Sequence, residues 1–232
     1  MLMRIHWYGH ANVQVADGKA TVCVDPFFVG NPLCTADWKS IPTPDLVLVT
    51  HDHGDHAGQA LEVCQATGAM LGCVVGTGAR FINSGLPASQ LFAGVGFNIG
   101  GTVEHKGIRV TMLPAFHSSD SGVPVGYIVQ MPSGFTFYHS GDTCVFGDMA
   151  IWGGLYQLDL ALLPVGGFFT MDARQAALAC KLLKTRALLP LHWGTFPLLA
   201  AGTDALKAEL AEQAPDCRLI DIIPGDTVPF SF

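Results

Sequence analysis

Charge is scarce in this chain. Of its 232 residues only 13% are Asp, Glu, Lys or Arg, while 50% are hydrophobic. That leaves little charged surface to cover a solitary globule, so a homo-oligomer is expected. The seven cysteines are an odd number without any C-x-x-C spacing; this argues against a disulfide framework or a zinc ribbon and fits reduced thiols in a cytosol. Neither G-x-G-x-x-G nor a P-loop occurs, so the glycines recurring between Gly68 and Gly101 are read as turns between short elements. Basic residues are few, 12 Lys and Arg against 19 Asp and Glu for a formal charge of −7, which disfavours nucleic acid as a partner. No apolar stretch reaches membrane-spanning length; Leu155 to Met171 is interrupted by Asp159, Pro164 and a glycine pair. The first residues alternate like a strand and lack the basic head, apolar stretch and cleavage site of an export signal. The expectation is a cytoplasmic protein with no membrane span.

What is present is a series of short β-rich runs. Ile5–Val15 and Ala20–Val24 read as two strands joined at Asp17-Gly18. An irregular segment with Gly30-Asn31-Pro32, Pro42 and Pro44 follows. The run Leu46-Val47-Leu48-Val49-Thr50 predicts a fully buried strand, Gln59–Ala66 a helix and Met70–Val75 the next strand. The second half echoes the first, with strands over Ile108–Leu113, Val125–Met131, Phe135–His139, Leu160–Val165, Ala187–Leu191 and Leu219–Ile223. Helices are predicted over Ala173–Leu183 and Asp204–Gln213, capped by Asp172 and Thr203. The pattern predicts one α/β domain over 1–232, in two pseudo-equivalent halves with a boundary near 115. Its two mixed sheets would pack face to face with helices outside.

The chemistry concentrates in His51-Asp52-His53-Gly54-Asp55-His56, directly after a predicted strand. His51 and His53 stand two apart as that strand ends, so they leave on one side and can chelate one ion. Asp55 and His56 turn toward a second ion, and Gly54 is expected to relieve the tight loop between the pairs. At this composition an H-x-H-x-D-H spacing arises by chance in roughly 1 of 1,000 such chains. Three more apolar runs end in ligand-type residues: Met112 to His117, Phe137 to Asp142, and Leu188 to His192.

The HDHGDH run at 51–56, His117, the SGDT segment at 140–143 and His192 follow one another as in the metallo-β-lactamase superfamily, which the chain resembles over nearly its whole length. WYGHA at 7–11, DPFFVGNP at 25–32, GDTCVFGDM at 141–149, FFTMD at 168–172 and HWGTFPLL at 192–199 are similar to the uncharacterised metal-dependent hydrolases related to L-ascorbate-6-phosphate lactonase. The resemblance implies an αββα sandwich with its site at one edge, between the sheets. It implies that His51, His53 and His117 hold one divalent ion and Asp55, His56 and His192 a second, with Asp142 bridging. Such an N/O set suits Zn²⁺ and also accepts Mn²⁺, Fe²⁺ or Ni²⁺. Two ions about 3.5–4 Å apart lower the pKa of a shared water to about 7 and polarise the substrate's carbonyl or phosphoryl oxygen. Asp55 is expected to orient the metal-bound hydroxide and carry a proton. The implied function is hydrolysis of a small-molecule ester, lactone or related acyl bond; the alternative is a phosphodiesterase or nuclease using the same two ions. A redox role is disfavoured, because redox relatives carry Glu where this chain has His53.

Other residues near these motifs are open to two readings. His10 and His139 are contacts just behind the ligands or buried histidines satisfied by backbone. Thr195 and Thr170 hydrogen-bond near the site or cap turns. Cys144 is expected to make an apolar contact and not to ligate. Phe168 stands where related sequences often carry a polar residue.

Overall fold

Successive residues of a strand point to opposite faces, so a run such as Leu46-Val47-Leu48-Val49 needs cover on both sides. The structure, a computed structural model describing residues 3–230, provides it with two packed sheets and outer helices. The first sheet contains β1 (Met3–Gly9), β2 (Asn12–Ala16), β3 (Thr21–Val24), β4 (Leu46–Leu48) and β5 (Met70–Gly72). The second contains β6 (Thr102–His105), β7 (Ile108–Pro114), β8 (Val125–Gln130), β9 (Thr136–His139), β10 (Leu160–Pro164), β11 (Ala187–Leu191) and β12 (Arg218–Leu219). A last strand, β13 (Thr227–Phe230), crosses back to pair with β1. The orders are β13-β1-β2-β3-β4-β5 and β12-β11-β10-β9-β8-β7-β6. Each sheet begins as an antiparallel meander and continues in parallel strands, β3 to β5 in one and β9 to β12 in the other. The helices are α1 (Gly54–Ala57), α2 (Ala60–Thr67), α3 (Val75–Asn83), α4 (Met149–Leu155), α5 (Ala173–Leu183) and α6 (Asp204–Gln213).

Alternation along the strands divides the apolar residues into three buried clusters. Leu46, Leu48, Leu160, Leu162 and Leu189 meet Trp7, Tyr127 and Phe137 between the sheets. Val47, Val49 and Leu71 face outward onto Val63, Cys64 and Phe81 of α2 and α3. Ala161, Leu163 and Leu188 face Ala176, Ala179 and Cys180 of α5, small side chains that let the helix lie close to its sheet. This is the expected αββα sandwich. No helix among the described residues is long and apolar enough to cross a membrane.

Several local expectations fail for physical reasons. Ile5–Val15 is two strands: Gly9 (φ 98°) and His10 (φ 56°) reverse the chain, which sets Trp7 opposite Val13. The strand expected over Met70–Val75 stops at Gly72, and the glycine-rich stretch contains α3. Glycine's low helix propensity hides that helix, yet Gly78 is needed there, since a Cβ on it would lie 2.4 Å from Val95 O. The strand expected over Leu219–Ile223 shrinks to Arg218–Leu219. The short, proline-containing β13, which the sequence pattern did not predict, fits a sheet edge. Asp172 caps α5 by accepting from Gln175 N at 2.8 Å, whereas the Thr203 hydroxyl donates to Asp221.

Candidate metal centre

The parallel strands finish at one edge of the sandwich, and their ends carry the ligand-type residues. Asp25 follows β3, His51 lies three residues past β4, Asp142 three past β9, and His192 directly after β11. His117 arrives three residues past β7, which runs in the same direction as β9.

Two donor groups form there, joined by a third, His51, His56 and Asp142, that shares one histidine with each. His51, His53 and His117 bring ligand atoms within 4.8 Å of one another, as do His10, Asp55, His56 and His192. His51 Nε2 lies 3.0 Å from His53 Nδ1. Asp142 joins the groups through one oxygen, Oδ2, which is 3.1 Å from His192 Nε2, 3.3 Å from His56 Nε2 and 3.6 Å from His117 Nε2. All seven metal-binding candidates thus converge on one centre.

Behind the rings stands Asp25, a fully buried carboxylate that sequence reasoning missed. It accepts from Thr50 N at 2.8 Å, from Thr50 Oγ1 at 2.7 Å and from His56 Nδ1 at 2.8 Å. The Thr50 hydroxyl proton is committed to Asp25, so Thr50 Oγ1 accepts from His51 Nδ1 at 3.0 Å. Both Nδ1 atoms therefore donate outward, which turns Nε2 of His51 and His56 toward the centre. The signal that would have found Asp25 is the rule that found the others, a ligand-type residue closing the apolar run Val22-Cys23-Val24.

His10 and Thr195 meet at the second group. Asp55 can only accept, so the neutral His10 ring donates from Nε2 to Asp55 Oδ2 at 3.2 Å and accepts from Thr195 Oγ1 at 3.0 Å. His139 lies further back: Nδ1 accepts from Gly141 N, and Nε2 donates to Ala11 O at 3.0 Å. It ties the Asp142 loop to the turn carrying His10. Asp52, also missed, is buried and accepts from Arg80, Ser119, Ser121 and the Asp120 amide. These bonds pin the 117–121 loop, and His117 with it, to the HDHGDH segment. Cys144, expected to make an apolar contact, is exposed; Thr170 Oγ1 is buried without a hydrogen-bond partner.

The expected role of Gly54 needs correction. It opens α1 with open space where a Cβ would be. The tight position is Gly58 (φ 42°), where a Cβ would meet Pro26 O at 2.4 Å and Phe27 N at 2.8 Å.

The electrostatics fit a divalent cation. Burial pushes His10 down to about 4 and His51 to about 3, so both rings are neutral at pH 7. Burial also opposes charge on His56, but Asp142 and Asp25 on either side outweigh it and raise that ring well above the ordinary imidazole value. Asp142, despite its burial, is held well below the usual carboxylate range by His56 and His192. The space between His56 Nε2 and Asp142 Oδ2 attracts positive charge, and the surrounding donors are the N and O atoms that bind Zn²⁺ or similar ions. His56 Nε2 is buried 3.3 Å from Asp142 Oδ2, a nitrogen and a carboxylate oxygen side by side where a bound cation would take the place of the ring's second proton. The donors open onto a cleft of about 280 Å³ lined by His53, Asp55, His117, Ser118, Asp142, Phe169, His192 and Phe196.

Known proteins share this arrangement of chain and fold. The family model described as the β-lactamase superfamily domain matches residues 21–193. A UPF0173 metal-dependent hydrolase of Nitratidesulfovibrio vulgaris is 61% identical over 228 residues, spanning 98% of this chain and 95% of its own. One from Pyrobaculum arsenaticum is 38% identical over 229 residues, spanning 97% and 99%. The solved structure of Igni18, a metallo hydrolase of Ignicoccus hospitalis, matches with TM-score 0.88 at 35% identity and covers 100% of both chains. The metallo-β-lactamase fold protein YhfI of Bacillus subtilis, at 13% identity and TM-score 0.73 over 99% of this chain and 100% of its own, shares the fold. The chain therefore belongs to the β-lactamase superfamily, among its UPF0173 metal-dependent hydrolases.

Proposed function

We propose that this hydrolase cleaves a small-molecule ester, lactone or related acyl bond with two divalent ions, zinc foremost. His51, His53 and His117 would hold one ion, Asp55, His56 and His192 the other, and Asp142 would lie between them. The observation that carries this reading is the single Asp142 oxygen within 3.6 Å of ring nitrogens from both donor groups. Ions held by these residues would supply a nucleophilic water and would polarise the oxygen of the scissile group.

The chain's own residues do the positioning and the proton transfer. Asp55, with its side chain 31% exposed toward the cleft, is steadied by His10. It takes a proton from the attacking water and returns it to the leaving oxygen. Asp25 and Thr50 keep Nε2 of His51 and His56 turned inward. Among the cleft-lining residues there is no Lys or Arg, so charge on a substrate beyond the reach of the ions would find no cationic side chain.

The test is metal analysis of the purified protein joined to ester, lactone and bis(p-nitrophenyl) phosphate panels, with His51→Ala as the control. About two ions per chain and ester or lactone turnover lost in His51→Ala is the expected result. Phosphodiester cleavage with esters untouched would move the protein to the alternative class, and no turnover above the control on any panel overturns the reading.

A further inference from the structure

Only the reacting bond of a substrate can sit over the metal donors; the rest must lie against the remaining walls of the cleft, which are Phe169, Phe196 and Ser118. Among the described residues three phenylalanines expose more than half of their surface: Phe116 (60%), Phe168 (63%) and Phe169 (53%). All three stand on loops, Phe116 with its ring 5.0 Å from that of Phe146. Phe116 immediately precedes His117, and Phe168-Phe169 lie just past β10. Phe169 lines the cleft together with Phe196. The Phe196 ring is braced edge-on 5.5 Å from the His10 ring, and Phe169 is braced edge-on 4.7 Å from Phe168. Two rings fixed in this way keep apolar surface wet until something covers it.

The polar groups in the cleft are almost all used by the metal centre, leaving Ser118 as the one uncommitted hydroxyl among the lining residues. With no Lys or Arg there, the far end of a sugar-phosphate lactone would meet no cation. A volume of about 280 Å³ is at the small end of ligand sites.

Resting on the hydrolase reading above, we propose that the substrate is a small acyl compound with an uncharged, apolar non-reacting part. That part is an aromatic ring or a branched alkyl group, and it packs between Phe169 and Phe196. These two residues then set specificity through apolar contact, while the reacting end is handled by the metal centre.

Hydroxamates test this without requiring turnover, because they chelate metal ions and carry any chosen side group. Calorimetric titration of the zinc-loaded protein compares acetohydroxamate, benzohydroxamate and 4-carboxybenzohydroxamate. Benzohydroxamate is expected to bind about tenfold tighter than acetohydroxamate, as covering roughly 50–60 Å² of apolar surface implies. The added carboxylate should erase that gain. Phe169→Ala should shrink the ratio of the two affinities to below about threefold, and Phe169→Tyr should restore it. Phe169 is half exposed, so the substitution leaves the core intact. Equal affinities for the first two probes, tighter binding of the charged one, or no binding of any probe to zinc-loaded protein would each overturn the proposal. The outcome separates from that of the hydrolase reading. An aryl preference without ester or lactone turnover removes that reading, and the acyl substrate with it, but leaves the apolar wall standing, whereas turnover with no aryl preference in probes or substrates removes the apolar wall alone.

Discussion

Replacing Asp25 by Asn tests whether the metal centre depends on a residue that never touches the metal. Asp25 Oδ2 accepts from both Thr50 Oγ1 and His56 Nδ1, and Oδ1 from Thr50 N. Asparagine has the same size but one acceptor oxygen. If its NH₂ takes the Oδ2 position, two donors face a donor; if it takes the Oδ1 position, the Thr50 amide is left unpaired. In either orientation a fully buried donor loses its partner, at a cost of about 1–3 kcal/mol. The His56 ring also loses the carboxylate that fixes its tautomer, and loss of such a partner weakens metal binding by about 10- to 100-fold. Zinc competition with a chromophoric chelator reads the affinity, and urea unfolding in excess chelator reads the stability of the protein alone. The expected outcome is a weakened ion at the His56 group together with the stated loss of stability. If Asp25→Asn binds both ions with wild-type affinity, the account of how the rings are oriented is wrong.

Other consequences are as specific. Asp52→Asn should loosen the 117–121 loop and weaken metal binding at the His51, His53 and His117 group by about tenfold, with binding at the His56 group unchanged, by the same competition assay. Gly54→Ala should lie within about 0.5–1 kcal/mol of wild type or above it, because the site is exposed and helical. Gly58→Ala should cost about 2–5 kcal/mol through overpacking and a strained φ; equal urea midpoints for the two variants would refute the assignment of the tight turn. Chelation should abolish hydrolysis and lower the thermal midpoint. Zinc at about 1,000 times its dissociation constant should restore about 4 kcal/mol, and an unchanged midpoint would show that metal is not coupled to the fold.

Some of this was legible along the chain and some was not. His51, His53, Asp55 and His56 are readable because four nitrogen or oxygen donors come from six consecutive residues. His117, Asp142 and His192 are readable because each closes an apolar run, and the fold requires such runs to end at an edge. Asp25 closes a run too, yet residues behind the ligands have no fixed spacing to betray them. Asp52 sits inside the motif, but its partners, Arg80, Ser119 and Ser121, come from two other loops or helices. The helices Ala173–Leu183 and Asp204–Gln213 were readable to the residue, because their composition is strongly helical and their flanks break it. Strand β13 was not, since Phe230 pairs with Met3 across almost the entire chain and nothing local encodes that contact.

Backbone strain points to how the two sheets depend on each other. Six non-glycine residues among those described have positive φ, and three of them, His10, Asp25 and His192, stand at the metal centre. Each such residue costs about 1–3 kcal/mol and persists only where its surroundings over-determine it. Here the surroundings cross between the sheets. His10 O accepts both from Trp7 Nε1 at 3.0 Å, out of the inter-sheet core, and from His192 N at 3.1 Å, at the end of β11. Asp25 N donates to Leu48 O at 2.9 Å, and Thr50 O accepts from Val125 N at 3.0 Å. The first sheet therefore fixes the backbone of a ligand carried by the second, and the reverse holds at Thr50. Neither sheet alone presents a complete donor group, because His117 and His192 come from one and His51, His53, Asp55 and His56 from the other. Metal binding and docking of the sheets are thus linked: an ion held by residues of both sheets would stabilise their docking, and a change that loosens the docking would weaken the ion.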